Sequence, residues 1–275
     1  PKPNVGTWNN VDLGYQRKDT GGYFEWQRQS PWYFRVEGNQ VTTEGTKVGG
    51  YSNGTSPGQG YVDLAIPVQY QTNTATFEGG YTTRTMTFTA SYLASNFNND
   101  IQTLTWTNPY FTNGTDRSYL PPDNDYQRFA LNGVIRALPW NSTLAARYTW
   151  DRTESEFNID SAVLGGTSTA PVFINTAPTA SRFNGDETRQ TFTLGWSATP
   201  VTNLDTKLYY NWQKMKNDST DVVFCPSGAS TCDGTFENDL WHYQKNNAGV
   251  DAWWRISRAN RLGIGYDCAR FCPYL

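Results

Sequence analysis

A hairpin with two unlike faces, at Asp125–Asp151, limits what this chain can fold into. Its second arm, residues 143–151, alternates between apolar and polar residues, so that Leu144 and Arg147 belong to opposite sets. Side chains along a β-strand point to the two faces in turn. One face of this arm is therefore apolar and aromatic, and the other is polar and charged. The first arm repeats the pattern, and the turn at 138–141 joins the two arms.

Aromatic residues are frequent, yet the chain as a whole is hydrophilic. It contains 17 Tyr, 14 Phe and 11 Trp against 2 Met, and its mean hydropathy is negative. This balance is typical of membrane barrels, whose apolar side chains form only an outer band while the lumen and the loops stay polar. The sequence has no run of about 18 apolar residues, which a transmembrane helix would require.

The charge of the chain argues against a nucleic-acid partner. Lys and Arg number 22 against 25 Asp and Glu, which gives a formal net charge of −3. Nucleic-acid binding depends on basic side chains that neutralise phosphates, often interleaved with aromatic residues. No basic run of that kind occurs, so we exclude nucleic acid as a partner.

The alternation recurs along the chain and predicts ten strands, the opening hairpin supplying two of them. The other eight are Thr7–Arg17, Tyr23–Val36, Thr74–Tyr81, Arg84–Tyr92, Arg189–Ala198, Asn203–Gln213, Val250–Ile256 and Leu262–Tyr266. We expect the stretch 18–21 to separate the first two strands, Pro31 to break the second, and the glycine-rich stretch 37–72 to be a long connecting segment.

Short turns and long connections alternate between these strands. The short turns are predicted at 82–83, 139–141, 199–202 and 258–260, all at one end of the sheet. This arrangement is typical of outer-membrane barrels, whose short turns face the periplasm. A soluble sandwich or propeller is the alternative, but Val, Ile and Leu usually fill a sandwich core, whereas Tyr, Trp, Phe and Ala dominate here. The sequence predicts an all-β, antiparallel, up-and-down transmembrane β-barrel or barrel segment, as a single domain over residues 1–275.

Two cysteines lie in a long connecting segment. Cys225 and Cys232 are separated by six residues, and a loop on the outside of the cell lies in an oxidising environment. We predict a local disulfide in preference to free thiols, with the Cα atoms about 4.4 to 6.8 Å apart. A metal site is disfavoured, because His242 is the only histidine in the chain.

The sequence offers no catalytic or haem-binding constellation. No nucleophile and base stand out as a pair, so we do not expect an enzyme. No C-x-x-C-H motif is present, and one histidine cannot supply bis-histidine ligation of a haem. We therefore expect no cofactor bound to this chain.

Four short motifs lie between Gly60 and Asp267. Their characteristic residues are Pro67, Tyr70, Thr72, Ser95, Phe97, Asn98, Trp106, Asn108, Pro109, Pro122, Asn124, Tyr266 and Asp267. These motifs resemble those of the MtrB/PioB family of decahaem-associated outer-membrane proteins, and they occur in the order of the family. The resemblance implies a location in the bacterial outer membrane and partners that are multihaem c-type cytochromes, periplasmic and extracellular, which carry the haem.

The chain departs from the family pattern after Asp267. Residues 268–275 read as an anomalous tail, where the family continues through many more strands, and we assign no role to Cys268 and Cys272. The resemblance implies a fragment of the family barrel or a genuine short paralogue.

Two functions remain open for such a barrel. The resemblance implies a porin-like sheath that holds a periplasmic multihaem cytochrome for electron transfer across the outer membrane. The alternative is a diffusion porin with a water-filled lumen, general or specific for a solute. In the sheath, the polar face supplies candidate contacts to the cytochrome, while the apolar face contacts outer-membrane lipid. These candidates are Arg128, Asn132, Arg136, Arg147, Asp151, Lys207, Asn211, Asp251 and Arg255.

Overall fold

The structure is a computed structural model that describes residues 10–27, 30–52, 61–107, 115–159, 179–223 and 238–274. These ranges contain twelve strands and one helical segment, a 3-10 turn at Pro139–Asn141. The strands are β1 (Gly14–Gln27), β2 (Trp32–Ser52), β3 (Tyr61–Thr82), β4 (Met86–Asn99), β5 (Thr103–Thr107), β6 (Thr115–Tyr119), β7 (Asn124–Leu138), β8 (Ser142–Asn158), β9 (Arg182–Val201), β10 (Leu204–Asn217), β11 (His242–Arg255) and β12 (Arg261–Tyr274). None of the described residues forms a helix with the length and apolarity needed to cross a bilayer.

Ten of the strands form one antiparallel sheet. Its order is β1-β2-β3-β4-β7-β8-β9-β10-β11-β12, so each strand pairs with its neighbour along the chain. β5 and β6 form a separate two-stranded sheet inside the connection between β4 and β7. β1 and β12 are the two edges of the large sheet. The predicted fold class, an antiparallel up-and-down sheet of the barrel type with about ten strands, is confirmed.

The four predicted hairpins are confirmed, and their turns lie at one end of the sheet. β3 pairs with β4, β7 with β8, β9 with β10 and β11 with β12, always antiparallel. Two of the turns contain residues in the left-handed backbone region, with φ of 63° at Trp140 and 73° at Asn203. We call this end of the sheet the short-turn end, and the opposite end the long-connection end.

The predicted strands near the N-terminus were wrong. Residues 18–21 lie inside β1, and β1 and β2 are two paired strands up to Gln27 and Tyr33, where a single interrupted strand was expected over Tyr23–Val36. Most of the stretch 37–72, expected as a connecting segment, belongs to β2 and β3, which pair from Trp32–Tyr81 to Ser52–Tyr61. This hairpin extends past the lipid-facing band, and β2 carries mainly polar residues and glycines there. On β3 the apolar Ile66 and Val68 lie on the lumen face and are buried, so the alternation there does not mark a face toward lipid.

The register places apolar side chains of successive strands side by side on one face of the sheet. One unbroken row crosses seven strands and consists of Met86, Ile135, Leu144, Trp196, Leu208, Val250 and Tyr266. Three of these residues are exposed, with 44% for Leu208, 41% for Val250 and 70% for Tyr266. An apolar surface of this extent is foreign to soluble monomers and fits contact with lipid.

The apolar band shifts steadily along the strands from one edge of the sheet to the other. Trp26 is the last apolar residue of β1 before the short-turn end. Following its register partners across the sheet leads to Arg270 of β12, through Phe34, Gly79, Ala90, Leu131, Tyr148, Phe192, Trp212 and Asn246. The apolar residues of β12 begin at Leu262, eight positions earlier. The band therefore crosses the sheet on a diagonal.

We predict that Leu194→Arg impairs insertion, because Leu194 lies near the middle of the apolar stretch of β9. A guanidinium at the bilayer midplane should cost about 2 to 4 kcal/mol of folding free energy. The measurement is urea unfolding in lipid vesicles, followed by heat-modifiable gel mobility. Thr193→Arg is the matched control, because it places the same group on the polar face, and it should fold normally. Equal destabilisation of the two variants would contradict the assignment of the faces.

We also predict that position 203, in the turn between β9 and β10, requires a residue that tolerates the left-handed backbone conformation. Asn203→Val should destabilise the folded state by about 1 to 2 kcal/mol, because a β-branched residue strains the left-handed conformation. Asn203→Gly should retain the stability of the native chain. Unfolding midpoints in urea test both variants, and a tolerated valine would refute the requirement.

Candidate functional site

The polar face of the ten-stranded sheet is the candidate functional surface. It lies opposite the apolar band, because each strand alternates between the two faces. In a membrane barrel whose apolar face meets lipid, this face lines the lumen. All nine candidate contacts lie on it, and the register pairs Arg128 with Asp151, Asn132 with Arg147 and Lys207 with Asp251.

The nine residues form two separate patches. The first, on β7 and β8, contains Arg128, Asn132, Arg136, Arg147 and Asp151; the second, on β10 and β11, contains Lys207, Asn211, Asp251 and Arg255. β9 lies between them and contributes Thr191 and Thr193 to the same face. The sequence pattern placed the candidate residues on one face but did not show this division.

The patch on β7 and β8 carries arginines that lack a carboxylate partner. Arg136 and Arg147 are exposed, and neither forms an ion pair within the part of the chain that the structure describes. Asn132 is the register partner of Arg147 and offers an amide beside its guanidinium. These side chains retain free hydrogen-bond donors that could contact a group in the lumen.

The patch on β10 and β11 is built into a network that reaches the edge strand β12. The Tyr209 hydroxyl donates to Asp267 Oδ1 at 2.5 Å, and Asn247 Nδ2 donates to both carboxylate oxygens of Asp267, at 2.8 and 3.0 Å. The Tyr209 ring lies across Gly249, where a Cβ would overlap it. From the sequence, Asp267 was identified only as a motif residue, because its partner Tyr209 lies two strands away in the sheet.

A second tyrosine bridges three strands near the other edge. Tyr33 of β2 lies across Gly80 of β3, and its hydroxyl donates to Glu78 Oε1 at 2.9 Å. The same hydroxyl is 3.3 Å from the hydroxyl of Thr89 on β4. Both bridges lie on the polar face and tie each strand to the next but one. No signal in the sequence alone would have paired these residues.

Hydroxyl side chains line the polar face between the charged groups. On β3, β4, β8 and β9 they are Thr72, Thr74, Thr76, Thr89, Ser91, Ser95, Thr149, Thr191 and Thr193. Several of them hydrogen bond across strands, as Thr74 does to Ser95 at 3.2 Å and Thr149 to Thr191. Within the described parts of β3 and β4 the only charged group on this face is Glu78, whereas β8 and β9 also carry Arg147, Asp151, Glu187 and Arg189 there.

Several motif residues meet where β3, β4 and β7 converge at the long-connection end. Thr72 is the register partner of Phe97, and Phe97 is the register partner of Asn124. The rings of Tyr70 and Phe97 are in contact, with centroids 5.3 Å apart. The neighbouring motif positions on the same segments are Pro67, Ser95, Asn98 and Pro122.

Asn99 joins the two ends of the connection between β4 and β7. Asn99 is 2% exposed. Its backbone N–H donates to Asp123 Oδ1 at 2.6 Å, and its Nδ2 donates to the Pro121 carbonyl at 2.9 Å. Ile101 N–H in turn donates to Asn99 Oδ1 at 3.1 Å. The motif residues around Asn99 therefore act in the architecture of this junction.

The remaining motif and cysteine positions are spread over the chain. Trp106 lies in β5, and Tyr266 lies in the apolar row of β12. Asn108, Pro109, Cys225 and Cys232 are outside the described residues, so the disulfide stays a prediction. β12 continues through Cys268 and Cys272, which are free thiols, and pairs with β11 as far as Tyr274.

Within the described ranges, no group of three or more His, Cys, Asp or Glu residues could hold a metal ion. His242 begins β11, and its Nδ1 accepts a hydrogen bond from the Asn217 backbone N–H at 3.1 Å, a structural contact at a strand end.

A family model matches residues 3–270 of the 275 in this chain, and its description reads "Putative outer membrane beta-barrel porin, MtrB/PioB". The chain belongs to this family. The match agrees with the lipid-facing band and the polar lumen wall of the sheet. A search of curated proteins gives no match. The MtrB/PioB protein is thus an outer-membrane β-barrel porin, and its family is one of structural or transport proteins.

We predict that Asn99→Ala loosens the junction between β4 and β7. The substitution leaves the Pro121 carbonyl and Ile101 N–H without their partner, which should cost about 1 to 3 kcal/mol. Limited proteolysis of the folded protein should then cut the connection between the two strands faster. Gln102→Ala, an exposed position in the same connection, should change stability by less than about 0.5 kcal/mol. Equal cleavage of the two variants would rule out this role of Asn99.

Proposed function

We propose that this MtrB/PioB barrel is a porin-like sheath that holds a periplasmic multihaem c-type cytochrome in its lumen. The cytochrome would meet an extracellular cytochrome at the other end, so that electrons cross the outer membrane. The family resemblance suggests these partners. In this proposal the barrel carries no haem, since the sequence lacks a C-x-x-C-H motif.

The proposal rests on the chemical groups of the polar face, which are hydroxyls on some strands and guanidiniums on others. An ion-selective pore uses rings of charged side chains. Here the hydroxyl stretch on β3 and β4 contains one charged group, Glu78, which already accepts a hydrogen bond from Tyr33, and its hydroxyls bond to one another, as those of Thr74 and Ser95 do. Such a wall loses few hydrogen bonds to water when a protein surface packs against it. The exposed guanidiniums of Arg136 and Arg147 then supply donors to acceptor groups on the partner.

The apolar band supports the insulating part of this role. It surrounds the lumen wall with side chains that contact lipid, so a bound cytochrome is shielded from the hydrocarbon. The bridges at Tyr33 and Tyr209 stiffen the wall across three strands each. A rigid wall fixes the position of the partner, and fixed positions are what electron transfer between haem groups requires.

A diffusion porin is the second candidate function. The family description favours it directly, because it names a porin. A water-filled lumen would use the same polar face to pass small solutes. The two functions differ in what happens when charge is removed from the wall: a porin changes its conductance or ion preference, whereas a sheath loses its partner.

We predict that the combined variant Arg128→Ala, Arg136→Ala, Arg147→Ala lowers the haem that co-purifies with the barrel by at least about tenfold, because acceptor groups on the partner lose their donors. The measurement is the ratio of haem absorbance to barrel protein after gentle extraction of outer membranes. Heat-modifiable mobility verifies that the variant folds.

The matched control removes three cations from the opposite face, beyond the apolar band. In the variant Lys18→Ala, Lys214→Ala, Arg270→Ala the charge change is the same, and the haem ratio should be unchanged. An unchanged ratio in the arginine variant at normal folding, together with an altered single-channel conductance, would favour the diffusion porin.

A further inference from the structure

The short-turn end of the sheet is basic. This end comprises the short turns and the three strand residues on either side of each turn, within the described residues. It contains five cationic side chains, Arg84, Arg136, Arg255, Arg258 and Arg261, and two acidic ones, Glu25 and Asp205. The chain as a whole has a net charge of −3, so this end departs in sign from the rest of the molecule.

The acidic groups at this end are already engaged. Asp205 is shared by two guanidiniums, with Arg255 Nη2 at 3.3 Å and Arg261 Nη2 at 3.5 Å from Oδ2. Glu25 lies 3.8 Å from Arg35. Arg84 and Arg258 form no ion pair with any residue that the structure describes. Positive charge is therefore left over at the short-turn end.

The long-connection end shows the opposite arrangement. Its arginines and lysines include many that are paired at short distance. Examples are Arg152 with Asp186 at 2.6 Å, Arg189 with Glu187 at 3.0 Å, Lys216 with Asp218 at 2.6 Å, and Arg182 with Glu156. Carboxylates near these groups satisfy the cations locally. The excess of cations over carboxylates is thus a feature of the short-turn end.

The basic groups lie at the short-turn end of the lumen. Arg136, Arg255 and Arg261 lie on the polar face, and Arg84 and Arg258 lie in turns. The two turns are six strand spacings apart, which is roughly 29 Å at about 4.8 Å per spacing. A small anion contacts only its immediate neighbours, whereas an array of this width matches the dimensions of a protein interface.

We propose that this basic mouth, formed by Arg84, Arg136, Arg255, Arg258 and Arg261, docks an acidic surface of a periplasmic protein. Short turns face the periplasm in outer-membrane barrels, so the mouth opens to that compartment. The identity of the partner as a protein that enters the lumen rests on the proposed sheath function. Opposite charge on the two surfaces speeds their encounter and orients the partner before it enters.

The test measures binding of a fluorescein-labelled polyglutamate peptide to the full chain inserted in lipid nanodiscs. In the variant Arg84→Glu, Arg258→Glu, Arg261→Glu, the apparent Kd should rise about tenfold or more at low salt. The difference should shrink at about 0.5 M NaCl, because the screening length falls to a few ångströms. A labelled polylysine peptide serves as the probe of opposite sign, and it should bind the variant better than the native chain.

The matched control reverses three exposed cations away from the mouth, in Lys18→Glu, Lys245→Glu, Arg270→Glu. Its Kd for polyglutamate should stay within about twofold of the native value. Equal weakening in the two variants, or no binding by the native chain, overturns the proposal. Displacement of the peptide by inorganic phosphate, but not by chloride at the same ionic strength, also overturns it and indicates a small-anion site.

The same variants separate this proposal from the proposed function. Polyglutamate binding that depends on the mouth, with no haem co-purifying from native membranes, would refute the sheath and leave an acidic-protein docking surface. Haem that co-purifies equally with the mouth variant and the native chain would leave the sheath standing and refute the basic mouth as its docking surface.

Discussion

A backbone that crosses a bilayer has no water to bond to, so its N–H and C=O groups must find partners within the protein. The antiparallel ladder through ten strands meets this requirement along the described strands, apart from irregularities between Ile135 and Leu138 and between Leu204 and Thr206 and apart from the outer sides of β1 and β12. The ladder also fixes the register, and the register decides which side chains share a face. The lipid-facing band, the hydroxyl wall and the positions of the arginines all follow from that one pattern of backbone hydrogen bonds.

Sequence reasoning succeeded where one face had to be apolar. The hairpins around Leu144 and Leu194 were visible because lipid demands an alternating pattern there, and the same alternation placed all nine candidate contacts on one face. It failed for residues 37–72, because a strand beyond the membrane needs no apolar face toward lipid, and there Ile66 and Val68 lie buried on the lumen face. The contact of Tyr209 with Asp267 could not be predicted, since it depends on the registers of two successive strand pairs.

The motif residues and the lumen residues have different physical roles. Asn99 and its neighbours join β3, β4 and β7 at the long-connection end, through hydrogen bonds to Asp123 and Pro121. Their role is to hold an architecture that many lumen surfaces could share. A family likeness that rests on such residues identifies the barrel reliably and says less about what the barrel contains. The polar groups on the wall and at the mouth are the ones that can distinguish one partner from another.

The diagonal course of the apolar band sets the inclination of the strands. A shift of eight residues over nine strand spacings corresponds to a tilt of roughly 30° from the membrane normal, at about 3.3 Å per residue and 4.8 Å per spacing. Hydrogen-bonded neighbours such as Leu144 and Trp196 therefore lie at different depths in the bilayer. Residues at equal depth follow the diagonal, so two substitutions compared for their cost in lipid must be chosen along it and not across the ladder.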